Sequence, residues 1–113
     1  MVHGHSSHHV RGIEVHHGRL ILYGCGDLLN DYEGIRGHEA WRGDLSLMYF
    51  AALDAGGRLV RLEMTPVRMR RLRLRRAAQE DGRWLRATLD REGRPLGTRV
   101  HADAGGRLVL TWP

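Results

Sequence analysis

The alternation of apolar and polar residues predicts a chain built mostly from short strands. Residues 10–16 and 19–23 carry apolar or β-branched side chains, and His17-Gly18 between them fits a tight turn because glycine tolerates a positive φ. Further apolar runs predict strands at 45–53, 58–64, 67–74, 98–102 and 107–112. The pattern therefore indicates about seven strands arranged in hairpins.

Two local signals divide these strands. Pro66 cannot donate a backbone hydrogen bond, so it predicts a break, a bulge or an edge position. The sequence Asp-Ala-Gly-Gly-Arg-Leu-Val occurs twice, at 54–60 and 103–109, with no similarity outside the seven residues. We interpret this repeat as two hairpins with the same turn chemistry rather than as a domain duplication.

One segment has a helical period. Residues 79–92 place Leu85 and Leu89 four positions apart on one face, and two acidic residues in the first turn suit the helix dipole. Gly93 is expected to end the helix, with Pro95 as a further break. The predicted fold class is therefore α+β, strand-rich, with one helix.

Length and charge limit the function classes. A chain of 113 residues forms one domain at most, and no apolar run approaches the length of a membrane span. All 18 basic residues are arginine, which a G+C-rich coding bias explains better than function does, so the pI of about 10.6 is weak evidence for a nucleic-acid partner. The lone Cys25 and the lack of a secretory signal predict a reducing, cytoplasmic location, and a buried structural role is expected for this cysteine.

The segment 68–76 holds six arginines in nine residues. Guanidinium groups pair well with phosphates, so a strand that binds an anionic polymer or nucleic acid is one interpretation. No aromatic residue for base stacking falls in the run, which favours a solvated sheet face instead.

The first 33 residues carry the strongest candidate chemistry. Gly4-His5-Ser6-Ser7-His8-His9 precedes the first predicted hairpin, and imidazoles on a short loop at a sheet edge can hold a transition metal. By spacing alone, a histidine-rich segment without a metal-binding role is the simpler interpretation. The polar residues Asp27, Asn30, Asp31 and Glu33 follow the second strand, where capping a turn is the alternative to a functional role.

This stretch resembles the closing segment of the poly-γ-glutamate capsule synthesis (CapA-like) proteins, a branch of the calcineurin-like metallophosphatases. The resemblance is carried by Gly4-His5-Ser6-Ser7-His8, by Ile13-Glu14-Val15 and by Arg19-Leu20-Ile21-Leu22-Tyr23-Gly24-Cys25-Gly26-Asp27. It continues more weakly through 30–35 and 47–50.

The resemblance implies the C-terminal part of an α/β/β/α sandwich with a binuclear centre of Mn, Fe or Zn. His5 and His8 would be metal ligands, and His9 and Asp27 would orient these ligands through hydrogen bonds. The complete protein would hydrolyse a phosphoester. The family's Asp-x-His, Gly-Asp and Gly-Asn-His segments are not in this chain, so we expect a partial domain that is inactive alone. Met1–His3 leave no room for an element before the motif.

The expected partners follow from these interpretations. The resemblance implies a phosphorylated or anionic small molecule or polymer, and a nucleic acid is not the expected partner. A missing N-terminal region would be a second partner. The resemblance also allows an association with the cell envelope as the alternative to a cytoplasmic location. An exposed sheet edge would favour self-association.

Overall fold

The computed structural model describes residues 1–4, 11–25, 44–70 and 73–113. The strands are β1 (Val2–His3), β2 (Ile13–His16), β3 (Arg19–Leu22), β4 (Leu45–Leu53), β5 (Leu59–Arg70), β6 (Arg73–Arg76), β7 (Arg99–Ala102) and β8 (Leu108–Thr111). The helix α1 spans Gln79–Gly93 and is followed by a 3-10 turn at Arg94–Leu96. The described residues confirm the expected strand-rich α+β fold and contain one α-helix.

The strands form two sheets. A three-stranded sheet has the order β1-β3-β2, and a five-stranded sheet has the order β4-β5-β8-β7 with β6 also paired to β5. The expectation that no element precedes the motif is wrong, because β1 pairs in parallel with β3 through Val2–Ile21 and His3–Leu22. Two residues suffice for this strand because β3 is paired with β2 on its other side and offers a free edge.

Of the break, bulge or edge position predicted at Pro66, the break is wrong, whereas one side of β5 has no strand partner at this residue, as at an edge. The strand β5 runs straight through this residue, which stays in register with Leu47 of β4. On the opposite side β5 pairs with β8 at Glu63 and Met64 and with β6 only from Val67 onward, so Pro66 lies between two partner strands. The missing N–H is tolerated there, and the Pro66 carbonyl still accepts a hydrogen bond from Ala77 N at 3.0 Å.

The strand predicted over 67–74 does not exist as one element. Its first part is the end of β5, and its second part belongs to β6, which folds back antiparallel with Arg70 opposite Arg73. Apolar residues occur on both arms of this hairpin, so the alternation alone did not show where the chain reverses.

The helix follows its prediction closely, except at the C-terminal end. Leu85 and Leu89 are buried on the face that meets the sheets. Gly93 is the last helical residue rather than a stop, and the 3-10 turn that contains Pro95 continues it. The chain reverses at Gly97, whose φ of 85° is the left-handed conformation that glycine adopts readily.

A single hydrophobic cluster joins both sheets and the helix. Its members are Ile13, Leu20, Leu22, Leu45, Leu47, Leu59, Leu62, Met64, Leu85, Leu89, Val100, Leu108 and Leu110. Residues from the N-terminal hairpin and from the C-terminal hairpin therefore share one core.

The repeated heptapeptide forms the same turn twice, as expected. In the first copy the Asp54 carboxylate accepts hydrogen bonds from Gly56 N at 2.9 Å and Arg58 N at 2.8 Å. In the second copy Asp103 accepts from the backbone N–H groups of Gly105 and Arg107, both at 2.9 Å. The fourth residue of each copy is a glycine with a positive φ, 85° at Gly57 and 82° at Gly106. Local sequence alone explains both hairpins.

Candidate functional site

The predicted ligands His5 and His8 and the supporting residues His9 and Asp27 all lie outside the described residues, as do Asn30, Asp31 and Glu33. Their roles therefore stay predictions. The described residues next to them define the end of the three-stranded sheet from which these segments start.

The residues on both sides of the histidine segment are attached to the end of β3. Gly4 N donates to the carbonyl of Leu22 at 2.6 Å, and Arg11 N donates to the carbonyl of Gly24 at 3.0 Å. The chain that leads toward Asp27 leaves from Cys25, next to Gly24. The described residues Gly4, Arg11 and Cys25, which flank the two segments, thus lie at one end of the same sheet.

Gly4, the first residue of the histidine motif, is required by close packing. A Cβ at this position would lie 2.5 Å from the backbone carbonyl oxygen of Tyr23. Real Cβ atoms do not come this close, and the obstacle is a backbone oxygen rather than the end of a flexible side chain. The glycine of the motif therefore has a structural role that precedes any chemistry of the histidines.

Glu14 and Tyr23, which belong to the segment that resembles the capsule synthesis family, form a pair on the exposed side of the hairpin. The Tyr23 hydroxyl donates a hydrogen bond of 2.5 Å to Oε1 of Glu14. This hydrogen bond to the Glu14 carboxylate raises the pKa of Tyr23 above its usual value. The pair connects β2 to the residue after β3, close to where the histidine segment is anchored.

Cys25 is half-buried against the core, which agrees with the structural role expected for it. Burial raises the pKa of its thiol, so the reactive thiolate is disfavoured. Its carbonyl accepts a long hydrogen bond of 3.4 Å from Ser46 Oγ on β4.

The Tyr49 hydroxyl is a buried polar group near Cys25. It has no hydrogen-bond partner among the described residues. Burial and, to a lesser extent, the neighbouring Cys25 raise the pKa of this hydroxyl far above its usual range.

Within the described ranges, no group of three or more His, Cys, Asp or Glu side chains is placed to hold a metal ion. His16 and His17 are exposed at the β2–β3 turn, as expected, with ring centroids 4.1 Å apart. No described helix is long and apolar enough to cross a membrane.

The arginine run does not form one uniform surface. Arg68 is paired with Asp44 at 3.0 Å and Asp81 at 3.7 Å. Arg73, Arg75 and Arg76 on β6 are exposed, which agrees with the solvated face that was favoured.

A groove that the sequence analysis did not predict lies between the end of β6, the start of α1 and the β7–β8 turn. Its volume is about 490 Å³, and its lining includes Arg76, Arg83 and Arg86. Arg83 and Arg86 lie three residues apart on α1, a spacing that puts two side chains on one helix face. Helical periodicity could have paired these two arginines, but only the tertiary structure brings Arg76 to them.

Comparisons with known proteins agree with the N-terminal motif. Residues 1–32 match the sequence model of a family described as bacterial capsule synthesis protein PGA_cap. The chain is also 55% identical over 101 residues to proteins named probable polyglutamine synthesis accessory protein, from two strains of Mycobacterium tuberculosis, CDC 1551 and H37Rv.

The match to these two relatives covers 88% of this chain but 27% of their length, so the chain spans about a quarter of the curated relatives it matches. The identity extends well beyond the motif, which covers only the first part of the chain. On both findings, the chain is similar to the bacterial capsule synthesis proteins, through its first 32 residues and through a longer match to the two mycobacterial relatives.

Proposed function

We propose that this chain acts in the synthesis of a bacterial capsule polymer of the polyglutamate type, as part of a metallophosphatase-like protein. The observation that carries the proposal is the match of residues 1–32 to the capsule synthesis family, because this stretch contains the whole histidine motif. The names of the two mycobacterial relatives support the same process.

The finer proposal is a metal site to which this segment contributes His5 and His8. Neutral imidazoles suit Zn, Mn and Fe, so the chemistry of the two donors fits the implied metals. Three protein ligands are the usual minimum for a catalytic zinc, and a binuclear centre takes more. A complete site therefore needs donors in addition to these two, and the metal would supply an activated water and charge neutralisation at a phosphoryl oxygen.

The geometry around the motif supports this role without testing it. Gly4 and Arg11 hold both ends of the histidine segment against the end of β3, and the segment of Asp27 starts from the same place. Such an anchored arrangement suits side chains that must meet at one point. The lone Cys25 supports a reducing, cytoplasmic location for the chain.

Metal binding by the 113-residue chain tests the site directly. We expect Zn²⁺ or Mn²⁺ to bind weakly, and His5→Ala with His8→Ala to weaken this binding at least about tenfold, because each replacement removes one of two ligands. The measurement is calorimetric titration at pH 7.

The matched control replaces His16 and His17 with alanine, which removes two adjacent exposed histidines elsewhere on the same chain. Binding that follows His16 and His17 instead of His5 and His8 would contradict the proposed site. We also expect little or no hydrolysis of a generic phosphoester by this chain, and strong metal-dependent turnover that His5→Ala abolishes would show that expectation to be wrong.

The competing hypothesis is a non-catalytic, arginine-rich module that binds an anionic polymer or nucleic acid. It predicts binding without metal and a steep loss of affinity as salt is raised, because phosphate contacts release counterions. A salt titration with single-stranded nucleic acid, in the presence of a chelator, separates this hypothesis from the metal-site proposal.

A further inference from the structure

We propose that the groove between β6, α1 and the β7–β8 turn binds an organic anion that carries at least two carboxylate or phosphate groups. This inference rests on the described residues of the groove and is independent of the metal-site proposal. We name it the arginine groove, lined by Arg76, Arg83 and Arg86 together with the backbone of the turn at 103–106.

Charge is the first argument for an anion. The three guanidinium groups form no ion pair with any described residue, so their charge is not neutralised within this part of the chain. The lining carboxylate is Asp103, whose Oδ1 already accepts the two backbone hydrogen bonds of its own turn. Neither Glu80 nor Asp81 of the first helical turn lines the groove.

Free donors are the second argument. Arg76 Nη2 donates to the carbonyl of Gly105, and Arg86 Nη1 donates to the carbonyl of Val100, both at a long 3.4 Å. These contacts hold the two side chains along the groove walls and use one of the five N–H donors of each. The remaining donors are available for the paired oxygens of carboxylate or phosphate groups.

Shape and volume are the third argument. A volume of about 490 Å³ falls within the range of roughly 300–1,000 Å³ that is usual for small-molecule sites. One carboxylate would leave most of this space empty, whereas three separated guanidinium groups suit several oxyanions on one molecule. Ala77 and Ala78 also line the groove and are not buried, so they offer apolar surface to the carbon skeleton of such a ligand.

The twin turn at 54–60 shows which features are particular to the groove. There the equivalent carbonyl, that of Gly56, accepts a hydrogen bond from Arg19 of the β2–β3 hairpin. An arginine on this carbonyl is therefore common to both turns. What the second turn adds is the neighbouring helix with Arg83 and Arg86, so these two side chains are the ones to test.

Citrate and glucose 1,6-bisphosphate are suitable probes, since the first offers three carboxylates and the second two phosphates on a carbon skeleton. We expect the 113-residue chain to bind at least one of them in calorimetric titration at low salt. Arg83→Gln should weaken this binding about tenfold, as expected for one charge-assisted contact, and Arg83→Gln with Arg86→Gln should weaken it further. Which probe binds more tightly identifies the preferred oxyanion.

The control is Arg73→Gln with Arg75→Gln, which removes the same charge from exposed positions of β6 outside the groove. Arg83→Lys should bind more tightly than Arg83→Gln but less tightly than wild type, because lysine keeps the charge and lacks the paired N–H donors of the guanidinium group. The proposal is overturned if neither probe binds, or if the Arg73/Arg75 pair lowers affinity as much as the Arg83/Arg86 pair. A circular dichroism spectrum unchanged in each variant ties the loss to the groove.

Discussion

Asp90 shows how a single buried charge can be stabilised. Its side chain is 6% exposed, and its carboxylate accepts a forked pair of hydrogen bonds from Arg99, at 2.8 and 3.2 Å. Val100 N donates to the same carboxylate at 3.0 Å, and Arg94 adds a longer contact at 3.3 Å. The bonds from Arg99, followed by that from Val100, hold the pKa of Asp90 well below its usual range despite its burial.

Replacing this carboxylate should therefore cost stability and change its dependence on pH. We expect Asp90→Asn to lower the free energy of unfolding by about 2–4 kcal/mol at pH 7, since a buried charged network loses its acceptor. Because the folded pKa is depressed, the contribution of Asp90 is present above its unfolded pKa of about 3.9 and is lost as the pH falls toward the folded value. Urea unfolding between pH 2 and pH 7 measures both effects.

Arg94→Gln is the matched control, because Arg94 is mostly exposed and makes one long contact to the same carboxylate. It should cost less than about 1 kcal/mol. If the curves of wild type and Asp90→Asn stayed parallel down to pH 2, the carboxylate would not be the stabilising group.

The helix α1 carries two glycines whose surroundings differ. A Cβ at Gly93 would lie 2.3 Å from Thr98 Oγ1, which is buried and donates a 2.7 Å hydrogen bond to the carbonyl of Ile13. A Cβ at Gly82 would meet Pro66 Cγ at an ordinary 3.7 Å. The end of the helix is thus packed too tightly for a side chain, while its start is not.

The same substitution should therefore have opposite effects at the two glycines. Gly82→Ala should raise the free energy of unfolding by about 0.5–1 kcal/mol through helix propensity and reduced chain entropy. Gly93 has a helical φ of −82°, so alanine should gain the same helix propensity there. We nevertheless expect Gly93→Ala to lower the free energy of unfolding by about 1–3 kcal/mol because of the contact with Thr98. Thermal or urea unfolding of the two variants gives the comparison.

A double-mutant cycle isolates the cause. Thr98→Ala removes the clashing hydroxyl and its own hydrogen bond, so Gly93→Ala should cost less in that background than in wild type. Equal costs in both backgrounds would mean that Thr98 is not the obstacle.

The two sheets behave as parts of one structure because hydrogen bonds between described residues join them. Leu59 N donates to the Gly18 carbonyl at 2.7 Å, and Arg19 donates to the Gly56 carbonyl beside it. Thr98 reaches across 85 residues of sequence to Ile13. With a shared hydrophobic cluster beneath them, neither sheet has a separate core.

We therefore expect cooperative unfolding of the described parts. Native-state hydrogen exchange should give similar opening free energies for the buried amides of the β2–β3 hairpin and of α1, since both depend on the same core. Thr98→Val should lower both values together by about 1–2 kcal/mol because it leaves the Ile13 carbonyl without this donor. A hairpin that exchanges far more easily than α1 would show that the N-terminal sheet is a separate unit.

Local patterns determined the parts of this protein that depend on few neighbouring residues. Periodicity predicted the limits of β4 and nearly the full extent of α1. Hydrogen bonds within the turn explain both copies of Asp-Ala-Gly-Gly. The histidine motif belongs here too, because its order and spacing pointed to the family that the comparisons identified. What His5 and His8 do remains a prediction from that motif.

Tertiary structure decided everything that depends on which segments become neighbours. Pro66 is accepted inside β5 because two different strands meet beside it, and β1 forms because β3 has a free edge. The Asp90 network and the arginine groove each combine residues from separate elements. No periodicity within one segment encodes such juxtapositions, since they arise only when hydrophobic burial brings distant parts of the chain together.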